Sequence, residues 1–135
     1  MSNILFIDTG YVIALINKND THHQKAIALA EKYENSQFVT TDPILLEIGN
    51  ALSRIARNEA MTIIRYFQTT PNVTVVSLTS ELMDNALNLY TKHQDKTWGL
   101  VDCISFIVME NQNISVALSF DRHFRQAGFS LAQPE

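Results

Sequence analysis

Four acidic residues stand where their carboxylates could work together, and two of them follow apolar runs of the chain. Asp8 comes directly after residues 4–7, and Asp121 lies just past residues 114–118. Both runs are typical of buried strands, and open α/β sheets bind ligands beyond the carboxyl ends of their strands. A lone acid after a strand is often only a turn or helix cap. Two acids at one edge of one sheet instead favour a binding site.

The other two acids, Glu47 and Asp102, fall within predicted helices. Glu47 lies at the edge of an apolar helical stripe, so it could face a site, reach solvent or pair with Arg54. Asp102 has apolar neighbours on both sides in the sequence, and a buried carboxylate must be paired, neutralised or bound to a metal. The alternative for Asp102 is stabilisation by the helix dipole, because it falls in the first turn.

If these four carboxylates converge, a cation must balance their charge. Neither Asp8 nor Asp102 has a lysine or arginine beside it in the sequence. Oxygen ligands select hard ions such as Mg²⁺ or Mn²⁺, and the single cysteine, Cys103, excludes a zinc site built on thiolates. An acidic Mg²⁺ pocket is suited to phosphoryl transfer or phosphodiester hydrolysis. The hydroxyls of Thr9 and Ser119, next to or near the acids, could orient a carboxylate, a water or a phosphate oxygen, or make ordinary turn hydrogen bonds.

The elements that would position these groups alternate between strands and helices. The pattern predicts strands over residues 4–7, 37–40, 73–78, 114–118 and 129–132. It predicts helices over residues 12–16, 22 to about 34, 43–55, 100 to about 111 and 122–126, with caps at Thr21, Asp42 and Gly99. Two further helices are predicted without firm ends: one through Ile63, Ile64 and Phe67 that breaks at residues 70–72, and one capped by Thr79 or Ser80 that carries Leu82, Ala86 and Leu89. We therefore expect one domain, residues 1–135, with a three-layer α/β/α fold around a mostly parallel sheet of about five strands.

Composition excludes several classes of protein. The chain has 135 residues, 46 % of them hydrophobic, which is too many for a disordered chain. No apolar run approaches the ~20 residues of a membrane span, and the N-terminus does not resemble a signal peptide, so we expect a cytoplasmic protein. The net charge of −4 is unusual for a protein that binds the phosphate backbone of a nucleic acid. If nucleic acid is the partner, metal ions must supply much of the positive charge.

The order and surroundings of the acids resemble the PIN-domain ribonucleases, especially the VapC-like toxins of type II toxin–antitoxin pairs. The matching stretches are IDTGYVIAL (7–15), LEIGNAL (46–52), WGLVDCISF (98–106), LSFDRHF (118–124) and AGF (127–129). Each motif is weak alone, but together they run in the family's order over nearly the whole chain. Two positions depart from the pattern, since many relatives have Ser or Asn at Gly10 and Ser at Gly99.

The resemblance implies a PIN-like fold and an Mg²⁺- or Mn²⁺-dependent endoribonuclease. The metal would be held by the four acids, Asp8, Glu47, Asp102 and Asp121, with the Thr9 and Ser119 hydroxyls close by. An activated water would attack the phosphorus and a 3′-hydroxyl would leave, so no pair of catalytic histidines is needed. Among the basic residues near the motifs, Arg54, Lys96 and Arg122 are candidates for RNA contact, and solvated surface is the alternative for each.

The resemblance also implies partners. These are a cognate antitoxin protein and a second copy of the chain, and we expect Ile63, Ile64 and Phe67 to offer an apolar face for the homodimer. The alternative function is a solitary or catalytically idle PIN module that binds RNA or protein. The complete acid set argues against an idle module, because such a module would be free to lose an acid.

Overall fold

A computed structural model describes residues 4–135 and shows a five-stranded parallel sheet with helices on both faces. The elements in chain order are β1 (Ile4–Ile7), α1 (Thr9–Ile16), α2 (His23–Lys32), β2 (Gln37–Thr41), α3 (Asp42–Ala51), α4 (Arg57–Thr69), β3 (Val73–Val76), α5 (Ser80–Lys92), α6 (Leu100–Asn111), β4 (Val116–Leu118), α7 (His123–Gln126) and β5 (Ser130–Leu131). Within these residues no helix is long and apolar enough to cross a membrane. The predicted α/β class and the sheet of about five strands are confirmed.

The strand order β3-β2-β1-β4-β5 places the first strand at the centre of the sheet. The chain adds β2 and β3 on one side of β1, then crosses the sheet to add β4 and β5 on the other side. Right-handed crossovers therefore put α1–α4 on one face and α5–α7 on the opposite face, and the helix contacts fall into the same two groups. The order reverses between β1 and β4, where doubly wound sheets bind their ligands.

The core surrounds β1, which is buried on both faces. Leu5, Phe6 and Ile7 are almost fully buried, as expected of a central parallel strand. Phe6 contacts Phe124 of α7 with ring centroids 6.2 Å apart. At the end of the strand, the Asp8 backbone N–H donates to the Leu118 carbonyl at 3.1 Å. This bond holds the end of β1 beside the end of β4.

Two buried threonines connect the end of β2 to its surroundings. The Thr40 hydroxyl donates to the Ile7 carbonyl at 3.0 Å, one residue before Asp8. The Thr41 hydroxyl accepts from the Ile44 backbone N–H and caps α3. The helix begins within a residue of its predicted start. The predicted cap, Asp42, is wrong: Thr41 caps the helix, and Asp42 lies in its first turn with Pro43.

Three further local predictions were wrong. Thr21 does not cap α2; the Asp20 carboxylate accepts from the backbone N–H of His22, the residue that precedes the helix. Ile55 continues the stripe of α3 in sequence, but the helix ends at Ala51 and Ile55 is 64 % exposed. Phe67 is buried in the core, so it cannot contribute to an exposed dimer face. At Thr21 a neighbouring residue makes the local bond instead, whereas at Phe67 packing against the core overrode the local pattern.

We expect Thr40→Val to lower the free energy of unfolding by about 1–2 kcal/mol, because the substitution removes a buried hydroxyl bond without changing the side-chain volume. Chemical denaturation checks this. Thr62→Val is the matched control, since the Thr62 hydroxyl donates to the Asn58 carbonyl on an exposed helix face. Equal losses in the two variants would contradict the role assigned to the Thr40 bond.

Candidate active site

A cavity of about 590 Å³ opens at the carboxyl edge of the sheet, where the strand order reverses. Its lining consists of Asp8, Thr9, Gly10, Asp20, His22, Glu47, Asp102, Phe120, Asp121 and Arg122. The structure thus brings together the four acids singled out from the sequence, although they come from four separate segments. Their convergence is geometric; the roles assigned to them remain predictions.

Asp8 is the acid with the most perturbed environment. It follows β1, and the Ser119 hydroxyl donates to its Oδ2 at 2.7 Å. The pKa of Asp8 is raised to about 7, chiefly because the carboxyl is buried; the nearby charges of Asp102 and Asp121 also raise it, while the Ser119 bond and the Thr9 backbone N–H lower it. The carboxylate form is therefore costly here unless a cation balances its charge.

Ser119 links two of the acids. It is 2 % exposed, and its oxygen also accepts from the Asp121 backbone N–H at 3.0 Å. The same residue therefore holds the Asp8 side chain and the turn that carries Asp121. Of the two functions considered for this hydroxyl, orientation of a carboxylate and ordinary turn bonding, the structure contains both.

Glu47 lies on α3 and accepts a hydrogen bond from the Thr9 hydroxyl. Thr9, the first residue of α1, donates from Oγ1 to Glu47 Oε1 at 2.6 Å. The ion pair with Arg54 that we considered is absent from the part of the chain that the structure describes. Glu47 thus faces the cavity across the start of α1.

Asp102 both caps a helix and lines the cavity. Its Oδ2 accepts from the Gly99 backbone N–H at 3.0 Å, which caps α6. Its side chain is 19 % exposed and also lines the cavity. The two interpretations drawn from the sequence, a first-turn acid and an inward-facing carboxylate, are therefore compatible.

His123 belongs to the cluster, although the sequence patterns assigned it no role at the site. Its Nδ1 lies 3.0 Å from Asp102 Oδ2 and 3.3 Å from Asp121 Oδ2. Because carboxylates only accept, Nδ1 carries the hydrogen between them. On the far side of the ring, Nε2 lies 3.1 Å from the Thr97 hydroxyl. The only signal in the sequence was its position two residues after Asp121.

The donor set suits a hard divalent cation. Ligand atoms of Asp102, Asp121 and His123 lie within 4.8 Å of one another, and the Asp8 and Glu47 carboxylates line the same cavity. Carboxylate oxygens favour Mg²⁺ and Mn²⁺, and with Nδ1 donating to two of the acids, the His123 imidazole supports the ligands and is not itself one. The residues therefore fit a metal centre of this class.

The predicted RNA contacts are only partly in place. Arg122 lines the cavity, whereas Arg54 and Lys96 are absent from its lining as far as residues 4–135 show. Lys96 instead lies 3.2 Å from Asp95 in an exposed ion pair. Trp98 is 8 % exposed and packs edge-on against Phe106, so its ring belongs to the core.

The two glycine departures leave the site intact. A Cβ at Gly10 would meet no atom within 4 Å, and one at Gly99 would lie 3.8 Å from Asp102 Oδ2. Both positions could hold the larger residues found in relatives. Neither glycine removes a ligand, and only Gly10 lines the cavity.

Comparisons with known proteins agree with this geometry. The family model described as PIN domain matches residues 5–130. The chain is 29 % identical over 132 residues to the 23S rRNA-specific endonuclease VapC20 of Mycobacterium tuberculosis, covering 98 % of this chain and all of the relative. The crystal structure of VapC20, described as a sarcin-ricin loop cleaving toxin, superposes with a TM-score of 0.88 at 28 % identity, with 98 % and 100 % coverage.

A second solved structure shares the fold alone. VapBC2 from Rickettsia felis, bound to a DNA fragment from its promoter, matches with a TM-score of 0.68 at 13 % identity and covers 96 % of this chain and 97 % of the other.

We expect Asp8→Asn to stabilise the metal-free protein at pH 8. The pKa of Asp8 is higher in the folded protein (about 7) than its ordinary value of 3.8. Stability from this group is thus present at low pH and is lost as pH rises through about 7. The variant should gain up to about 4 kcal/mol at pH 8 and less at pH 4.5, measured by urea unfolding in EDTA. Asp84→Asn, on the exposed surface of α5, is the control, and a destabilised Asp8 variant at pH 8 would contradict the argument.

We expect His123→Ala to destabilise the protein in EDTA by about 1–3 kcal/mol, because it removes the donor shared by two facing carboxylates. His123→Gln should lose less, since its amide can still donate to one of them. Denaturant unfolding of both variants checks this. Equal stability of wild type and His123→Ala would show that the bridge contributes nothing.

Proposed function

The chain belongs to the PIN-domain family, and on that premise we propose that it is a metal-dependent endoribonuclease, the toxin of a toxin–antitoxin pair. One observation carries the proposal: four carboxylates from four segments line one cavity at the switch point of the sheet. The likeness to VapC20 over nearly the full length of both chains supports the same activity.

We propose Mg²⁺ or Mn²⁺ as the cofactor, held by Asp8, Glu47, Asp102 and Asp121. When bound, such a cation supplies a water of lowered pKa and positive charge at the scissile phosphate. The burial that raises the pKa of Asp8 supports the assignment, because a bound cation would relieve that cost.

The chain's own residues orient these ligands. Ser119 holds Asp8 Oδ2, Thr9 holds Glu47 Oε1, and His123 lies between Asp102 and Asp121. Each bond removes rotational freedom from a carboxylate before substrate arrives, which is how supporting groups sharpen a metal centre. Arg122 lines the cavity, and this supports a contact between its guanidinium and a backbone phosphate.

RNA is the proposed substrate, and structured ribosomal RNA is the first candidate to test. VapC20 is specific for 23S rRNA and cleaves the sarcin-ricin loop. The mild negative charge of this chain means that the cation must provide much of the attraction for the phosphate backbone.

The proposed protein partners are a cognate antitoxin and a second copy of the chain. A basic side chain of an antitoxin could neutralise the acidic cavity. For the homodimer, Ile63 and Ile64 remain partly buried against the core, whereas Met61 and Tyr66 of the same helix are 59 % and 51 % exposed. Met61 and Tyr66 point to different sides of α4, about 140° apart around the helix axis, so each marks a separate exposed patch that a second copy could cover.

We expect the protein to cut RNA with Mg²⁺ or Mn²⁺ and to leave 5′-phosphate ends. Asp8→Asn and Asp102→Asn should each reduce the rate at least about 100-fold, because each removes a ligand charge from the metal centre. Single-turnover cleavage of end-labelled hairpin and unstructured RNAs, with metal or with EDTA, measures this. Asp84→Asn should retain the wild-type rate.

Cutting that persists in EDTA or in both site variants would overturn the four-acid mechanism. If no transfer, ribosomal or messenger RNA is cut by the wild-type protein, the chain is an idle PIN module and the nuclease proposal is wrong. Calorimetric titration with Mn²⁺ separates these outcomes from a failure to bind metal, since a metal centre predicts binding by wild type and weaker binding by Asp102→Asn.

A further inference from the structure

Two aromatic rings are stacked at the rim of the acidic cavity. The rings of His22 and Phe120 lie nearly parallel, with centroids 4.4 Å apart and an interplanar angle of 7°. Both residues line the cavity that holds the four acids. They come from different segments, the start of α2 and the turn after β4, so the stack is a product of the tertiary fold.

Hydrogen bonds order the two backbone segments that carry the stacked rings. Phe120 lies between Ser119, which is buried and bonded to Asp8, and Asp121. On the other side, the His22 backbone N–H donates to Asp20 Oδ1 at 2.8 Å, which fixes the turn before α2. Both residues of the stack therefore belong to backbone segments that hydrogen bonds order beside the acids.

One member of the stack is open to solvent. The side chain of His22 is 49 % exposed, whereas core aromatic residues such as Phe124 are fully buried. Stacking that served only to fill the core would bury both rings. An aromatic ring that is supported by a second ring and open to solvent is instead suited to receive a third flat group.

Positive charge accompanies the rings. The Lys25 ammonium lies 5.7 Å from the centroid of Phe120, and Arg122 lines the same cavity. The chain has a net charge of −4, so basic groups beside the acids stand out. Aromatic rings interleaved with basic side chains are the arrangement by which proteins bind unpaired nucleotides, with bases stacked on rings and phosphates near cations.

We infer that the His22–Phe120 stack, with Lys25 beside it, binds an unpaired nucleotide of the RNA next to the bond that is cut. The base would stack on the exposed His22 ring, and Lys25 would attract the adjoining phosphate. This inference rests on the proposed nuclease function. It further predicts that the enzyme prefers sites where at least one base is free to leave its helix.

The test compares RNA affinity and cleavage in stack variants. His22→Ala and Phe120→Leu should weaken binding of a labelled RNA hairpin by about 5- to 100-fold, the range for loss of one stacked base. His22→Phe should restore most of the affinity, because it keeps a flat ring. Fluorescence anisotropy in the Asp102→Asn background measures binding without cleavage.

Matched controls come from α5, away from the cavity. Tyr90 is 48 % exposed, and Tyr90→Ala removes an aromatic ring of comparable exposure. Lys92→Gln is the control for Lys25→Gln, which should weaken binding and reduce its dependence on salt. In the active protein, the His22 variants should raise the RNA concentration at half-maximal rate far more than they lower the maximal single-turnover rate.

The outcomes separate the possible explanations. If His22→Ala lowers the melting temperature but binds RNA like the Tyr90 control, the stack is purely structural and the inference is wrong. If His22→Phe behaves like His22→Ala, stacking is not the cause of binding. If the wild-type protein cuts no RNA, the proposed function fails, whereas unchanged affinity in the stack variants of a protein that does cut RNA overturns only this inference.

Discussion

Repulsion between carboxylates gathered in one cavity is the constraint on which the rest of the site depends. Asp8, Asp102 and Asp121 are close enough for the charges of the latter two to raise the pKa of the first, and burial adds a larger effect. Packing alone does not favour such an arrangement. It is sustained by a rigid sheet edge, by hydrogen-bond donors aimed at the acids, and by the cation that the site is suited to hold.

The carboxylates are held by two kinds of hydrogen-bond donor, neutral hydroxyls and a histidine. Ser119 and Thr9 each hold one carboxylate oxygen, while His123 lies between two acids that come from different helices and turns. These bonds orient the carboxylates without neutralising them completely. The cavity therefore keeps the negative charge that gives it affinity for a divalent cation.

Acidic, aromatic and basic groups share the wall of one cavity. The four acids, the His22–Phe120 stack and Arg122 all line it, and Lys25 lies over the Phe120 ring. Such an arrangement allows an acidic chain to bind a polyanion, because a bound cation and the two basic side chains attract the substrate where the rest of the surface does not. Metal binding and substrate binding would then use adjacent but chemically different groups.

The sequence by itself determined the fold class and most of the element order, because hydrophobic periodicity and strand-end positions are local properties that the order of residues displays directly. It also singled out the four acids and two hydroxyls that the structure brings together, and the roles of these residues remain predictions. Sequence patterns failed where the outcome depended on packing: Phe67 is buried, and Arg54 and Lys96 are absent from the cavity lining as described.

Only the tertiary structure brought His123 beside Asp102 and His22 onto Phe120. Neither pairing has a signature in the chain, because the partners are far apart in sequence and meet only where β4 joins the sheet next to β1. Local patterns specify which side chains can do chemistry. The crossover from β3 to β4 decides which of them share a cavity, since it sets the one edge at which the separate segments converge.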